Sequence, residues 1–197
     1  MLEKININFK LSKVAFKTLG CKLNFSETSQ ISRSLNENNF KIVDFESHAD
    51  IYVINTCSVT ENAEKKLKTI VNKVKKINFK SFVVVIGCYA QLNPFEISKI
   101  TNVDLTLGIK EKFNLNNYLL NYKASYGGKI HRCEINNSQL FVPTQSIEER
   151  TRAYVKIQDG CDYKCSFCTI PNARGKSRSD TIQSIVNRVN GILKKNI

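Results

Sequence analysis

Three short apolar runs rich in β-branched residues, at 14–19, 51–55 and 82–86, are each followed within two residues by a cysteine. This recurrence constrains the fold more than any other feature of the chain. Short continuous apolar runs separated by stretches of helical period are the pattern of buried parallel strands joined by helices. Residues 104–107 give a weaker fourth run. Between the second and third runs, residues 61–76 place Ala63, Leu67, Ile70, Val71 and Val74 on one helical face. The opposite face carries Lys65, Lys66, Lys68, Lys73, Lys75 and Lys76. Ser58 with Glu61 has the spacing of a capping box, with Thr60 as an alternative cap. Asn24 with Glu27 has the same spacing and predicts the start of a first helix ending near Asn38 and Asn39. The alternation predicts a doubly wound α/β domain over 13–125.

On that scaffold Cys21, Cys57 and Cys88 all fall in strand-to-helix loops. In a parallel sheet those loops emerge together at the carboxyl edge, where ligands bind. Cysteines 36 and 31 positions apart are thus expected to converge. Buried core cysteines are the ordinary alternative, but core residues would fall inside the strands. The three therefore read as one metal site.

A second set stands as Cys-Asp-Tyr-Lys-Cys-Ser-Phe-Cys, with Cys161, Cys165 and Cys168 in a C-x3-C-x2-C run. It follows a candidate strand at 153–157. Three thiolates can cap three irons of a cubic cluster and leave the fourth iron open. The alternative, half of a zinc site, lacks its usual fourth ligand, because no further Cys or His is near in sequence. Cys133 and His131 lie in a mixed polar linker, 126–150, with one strand pair expected around 131–135 and 139–142. Neither is assigned a role.

The net charge of +13 in 197 residues predicts attraction to a polyanion, with nucleic acid first. The longest purely apolar run, 82–86, is far too short to span a bilayer. The first thirteen residues contain no apolar core of a signal peptide. A soluble, cytoplasmic protein without membrane contact is expected, where reduced cysteines point to metal or chemistry rather than disulfides.

Taken in order, Thr18-Leu-Gly-Cys21-Lys-Leu-Asn24, Asn55-Thr-Cys57-Ser-Val-Thr60, Gly87-Cys88-Tyr-Ala-Gln91 and the C-x3-C-x2-C run resemble the methylthiotransferases of the radical S-adenosylmethionine superfamily. The match is nearest to the branch that modifies threonylcarbamoyladenosine in tRNA. The resemblance implies an N-terminal α/β domain with an auxiliary 4Fe–4S cluster on Cys21, Cys57 and Cys88. It implies a second 4Fe–4S cluster on Cys161, Cys165 and Cys168 that binds S-adenosylmethionine, with the Phe167 backbone against the adenine. Arg174 and Arg178 become basic groups near that cofactor. The implied activity adds a methylthio group to C-2 of an adenine in the tRNA anticodon loop. It draws electrons from a donor of the flavodoxin or ferredoxin type. Isopentenyladenosine in tRNA and a ribosomal protein side chain are sister substrates. A non-catalytic iron–sulfur or zinc module is a rival class, although a ferredoxin-type carrier wants four cysteines per cluster.

Residues 151–197 hold 47 positions, enough for one βα unit of a barrel: a strand at 153–157 and a helix at 181–195. Barrel units average about 30 residues. The chain is therefore expected to carry only the start of the radical domain and to be inactive alone.

Overall fold

The computed structural model describes residues 11–57, 63–122, 129–135, 141–146 and 152–194. The first part is a six-stranded sheet in the order β2-β1-β3-β4-β5-β6, with every neighbouring pair parallel. The strands are β1 Lys13–Leu19, β2 Lys41–Val43, β3 Ile51–Thr56, β4 Phe82–Gly87, β5 Leu105–Leu107 and β6 Lys129–His131. The helices between them are α1 Lys22–Glu37, α2 Ala63–Ile77, α3 Cys88–Leu92, α4 Pro94–Ser98 and α5 Leu115–Leu120, the last entered through a 3₁₀ turn at Glu111–Asn114. Strand order reverses between β1 and β3, the crevice where doubly wound sheets bind ligands.

Strands β3 and β4 are buried at every position, as strands covered on both faces must be. Their alternate residues feed two cores. Tyr52, Ile54, Val83 and Val85 pack with Leu67, Val71 and Val74 of α2 and Ile97 of α4. Ile51, Val53, Val84 and Ile86 pack with Ile31 and Leu35 of α1 and Leu115 and Leu119 of α5. Each such side chain contributes about 1.5–3 kcal/mol on burial. The α2 stripe matches the sequence expectation, and Lys65, Lys66, Lys68, Lys73 and Lys76 face solvent. Lys75 instead reaches the Ser81 carbonyl at 2.5 Å. The capping residues expected at 58–61 lie outside the described residues.

Three expectations differ from the structure. The strand expected at 131–135 as half of a pair is not formed; the extended residues are 129–131, the sixth parallel strand, where the His131 ring lies tilted against Tyr118 at 4.6 Å. The partner strand expected at 139–142 is not formed by 141 and 142, and 139–140 lie outside the described residues. Residues 153–157 make only an isolated antiparallel bridge, Val155 to Gln145, flanked by the Ser146 amide donating to the Tyr154 carbonyl and the Lys156 amide to the Thr144 carbonyl, both at 2.9 Å. The extended pairing comes just after it. Strand β7, Gln158–Asp159, pairs antiparallel with β8, Arg178–Ser179. Between them lies α6, Ile170–Arg174, and beyond them α7, Ile182–Leu193, capped by Thr181 Oγ1 accepting from the Ser184 amide at 3.2 Å.

Candidate metal centre

Register brings the first cysteine set to one edge. Leu19 of β1 pairs with Thr56 of β3, and Thr56 pairs with Gly87 of β4. Cys57 and Cys88 are each one residue past this aligned row and Cys21 is two past it. Two interstrand spacings of about 4.8 Å put the outer strand ends about 10 Å apart. Cys21 is the exposed N-cap residue of α1, and its side chain makes no cap bond. Cys57 is half-buried and Cys88 buried. Gly87 makes the abrupt strand-to-helix step possible. Its φ of +105° suits glycine, and a Cβ there would lie 2.4 Å from the Thr56 carbonyl oxygen. Beside Cys21 a cleft of about 660 Å³ opens, lined by Lys17, Lys22, Phe25, Phe45 and Tyr154.

The second set sits on a loop tied at its base. The Cys161 amide donates to the Gly175 carbonyl at 3.0 Å, and the Cys168 amide to the Cys165 carbonyl at 3.0 Å. Gly160, at φ +74°, lets the two ends meet: a Cβ there would come within 2.2 Å of the Lys176 carbonyl oxygen. The loop itself projects. Cys165 is exposed and Phe167 is 89% exposed.

All seven cysteines are free thiols. Among the described residues no group of three or more His, Cys, Asp or Glu side chains is gathered to hold a metal ion. The fit to a three-thiolate site lies in placement: three soft donors on three adjacent strand ends, and three on one exposed loop. Soft thiolates suit iron–sulfur clusters.

A buried ion network joins the two sets. Arg174 Nη1 donates to Glu27 Oε1 and Asp159 Oδ1, both at 2.9 Å. Its Nη2 donates to Asn24 Oδ1 at 2.7 Å and Glu27 Oε2 at 3.0 Å. Lys112 Nζ reaches Glu27 Oε2 at 2.6 Å, and Lys156 Nζ lies 3.4 Å from Glu27 and 3.2 Å from Asp159. Burial alone would raise the Glu27 carboxyl, but Lys112, Arg174 and Lys156 outweigh it and hold it well below its ordinary 4.5. Lys112, Lys156 and Arg174 lie buried against the two carboxylates, and Arg178 approaches Asp159 at 3.4 Å from the edge. Burial pushes the Cys88 thiol up, while Arg174 and Lys112 pull against that rise.

These contacts relocate several residues read from the sequence. Asn24 and Glu27 do not cap α1. The helix begins at Lys22, and both side chains are buried in the network. Arg174, expected near the cofactor, is 1% exposed, with its guanidinium turned to Glu27, Asp159 and Asn24. Arg178 is part-buried, with Nη1 donating to the Arg174 carbonyl at 2.7 Å and Nη2 3.4 Å from Asp159. Glu27, Lys112, Lys156 and Asp159 were not legible as site residues. One signal did exist: Asn24, Glu27 and Thr28 stand at helical spacing from Ile31 and Leu35, so they share the buried face of α1.

Residues 13–108 match the Uncharacterized protein family UPF0004. A threonylcarbamoyladenosine tRNA methylthiotransferase of Aquifex aeolicus is 38% identical, over 93% of this chain and 45% of that protein. Its namesake in Bacillus subtilis is 36% identical, over 89% of this chain and 40% of that protein. A ribosomal protein uS12 methylthiotransferase of Sulfurihydrogenibium is 33% identical, over 88% and 38%. The chain thus spans less than half the length of these curated relatives. Residues 13–108 therefore form a UPF0004 domain, and the chain is a homologue of the methylthiotransferases.

Proposed function

We propose that this chain is the cluster-holding part of a methylthiotransferase that acts on threonylcarbamoyladenosine in a tRNA anticodon loop. The observation that carries the reading is register: Leu19, Thr56 and Gly87 form one cross-strand row, with Cys21, Cys57 and Cys88 just beyond it. Those three thiols would hold one 4Fe–4S cluster, and Cys161, Cys165 and Cys168 the other, with S-adenosylmethionine at its open iron. When bound, these groups supply the radical and sulfur chemistry that an unactivated adenine C–H bond demands.

The chain's own residues supply position and charge. Gly87 and Gly160 set the backbone that presents the two thiol sets. The backbone at Phe167, next to Cys168 on the exposed loop, would lie against the adenine of S-adenosylmethionine. Arg178 stands at the foot of the same loop. The exposed lysines of α2 and the net charge of +13 favour an RNA phosphate backbone, and the target base in a loop can be splayed out of its stack. The names of the Aquifex and Bacillus relatives support threonylcarbamoyladenosine as that base. The Sulfurihydrogenibium name makes a ribosomal protein side chain the second reading.

The test is mass spectrometry of tRNA nucleosides from cells lacking the gene that encodes this chain. Loss of the methylthio group from threonylcarbamoyladenosine, with methylthio-isopentenyladenosine retained, is expected. The reverse pattern moves the substrate to isopentenyladenosine, and no change in either nucleoside removes the tRNA assignment.

A further inference from the structure

Asp159 and Arg174 bracket the segment that carries Cys161, Cys165 and Cys168, and both are buried, Arg174 against Glu27 of α1 and Asp159 against Arg174. Within the loop the Asp162 carboxylate accepts from the Ser177 amide at 2.9 Å, again near the loop's base, while Tyr163 and Phe167 project into solvent. Its place in space is therefore set at its ends. The Arg174 guanidinium grips both oxygens of Glu27 and the Asn24 amide oxygen, a fork that permits one orientation. Lys156 ties Glu27 to Asp159 from the other side. Ala173, next to Arg174, packs on Cys88 and Ile109, so α6 rests on the helix that Cys88 begins.

We propose that Glu27 and Arg174 are positioning residues that fix the C-x3-C-x2-C loop at one distance and angle from the strand-edge cysteines. An apolar contact could attach the segment with equal or greater stability, since buried ion pairs are often no more stabilising than well-packed hydrophobic groups. What a bidentate charged fork adds is a single register. Its consequence for catalysis rests on the reading of the two thiol sets as cluster sites. Two reacting cofactor sites must be held in a fixed relation, and small displacements cost rate steeply. The geometric claim itself needs no cofactor.

The experiment is a spin-label distance measurement on the metal-free full chain. Nitroxides are placed on the exposed Cys21 and Cys165, and the other five cysteines are replaced by serine. The parent gives one narrow distance distribution. Glu27→Gln and Arg174→Gln lose the single narrow maximum, and Arg174→Lys, which keeps the charge but not the fork, falls between them and the parent. Asp159→Asn lies outside the α/β domain and gives the same broadening if Glu27→Gln does not fold. A narrow, unshifted distribution in Asp159→Asn and in every folded Glu27 or Arg174 variant, even with a lowered melting temperature, assigns the network to stability alone and overturns the proposal. Iron uptake, measured separately, tests the cluster reading: broadened distances with no bound iron retain the positioning role and discard the clusters.

Discussion

Replacing Glu27 by glutamine removes one charge and almost no volume, so its effect isolates the electrostatics of the network. In the native chain the Glu27 carboxylate faces Arg174 at 2.9 and 3.0 Å, Lys112 at 2.6 Å and Lys156 at 3.4 Å, with all four side chains out of water. After substitution, three buried cations are left with Asp159 as their one carboxylate within the network. Breaking a buried pair by removing one partner costs about 3–5 kcal/mol, because a charge stays buried without its counter-ion. That is a large share of the roughly 5–15 kcal/mol that holds a domain together. With a urea slope of about 2 kcal/mol per molar, the unfolding midpoint should fall by about 2 M. The control is Glu46→Gln. Its pair with Lys73, at 2.6 Å, is about half exposed on both sides, and such pairs are worth about 1 kcal/mol or less. Urea titration followed by circular dichroism reads both variants. A Glu27→Gln midpoint shift no larger than that of Glu46→Gln would refute the reasoning.

Three further outcomes follow from the same geometry. Glu27 and Asp159 both have folded pKa values held below their ordinary 4.5 and 3.8, so their stabilisation is complete above those ordinary values and is lost as pH falls from them through the lower folded values; a Glu27→Gln/Asp159→Asn double variant should show a shallower acid loss of stability below about pH 5 than the parent. Gly87→Ala must place a Cβ 2.4 Å from the Thr56 carbonyl oxygen at φ +105°; it should destabilise by at least about 1 kcal/mol and lower iron at the strand-edge set, and an unchanged melting curve and iron content would contradict that. Replacing Lys65, Lys68, Lys73 and Lys76 by glutamine should flatten the salt dependence of anticodon stem-loop binding by about 0.7 in log–log slope for each phosphate that is no longer neutralised, whereas an identical slope assigns that face of α2 to solvent.

The sheet was legible because its signals are local. The runs at 51–55 and 82–86 are apolar at nearly every position, as strands buried on both faces are, and they appear as β3 and β4 within a residue. The placement of Cys21, Cys57 and Cys88 just past one aligned row of strand ends followed from strand topology alone. What the sequence concealed was non-local. Asn24 and Glu27 have capping-box spacing, and the capping reading is the natural one until Arg174, some 150 positions away, claims both. The same long-range contact explains why Arg174 is buried instead of facing the cofactor loop. The candidate strand at 153–157 forms only a bridge to Gln145, and regular pairing comes at 158–159. Nor was it legible that Lys156 turns its side chain into the network and over the rings of Phe113 and Phe141. The sixth strand was missed because three residues, Lys129–His131, between turn-forming segments carry too short an apolar pattern to read.

Iron stoichiometry tests the central claim most directly. Anaerobic reconstitution of the chain should load two cubic clusters, about eight irons per chain. Serine at Cys21, Cys57 and Cys88 together should leave about four irons, held by Cys161, Cys165 and Cys168. Iron content unchanged by that triple replacement would contradict the assignment of the strand-edge cysteines as a cluster site.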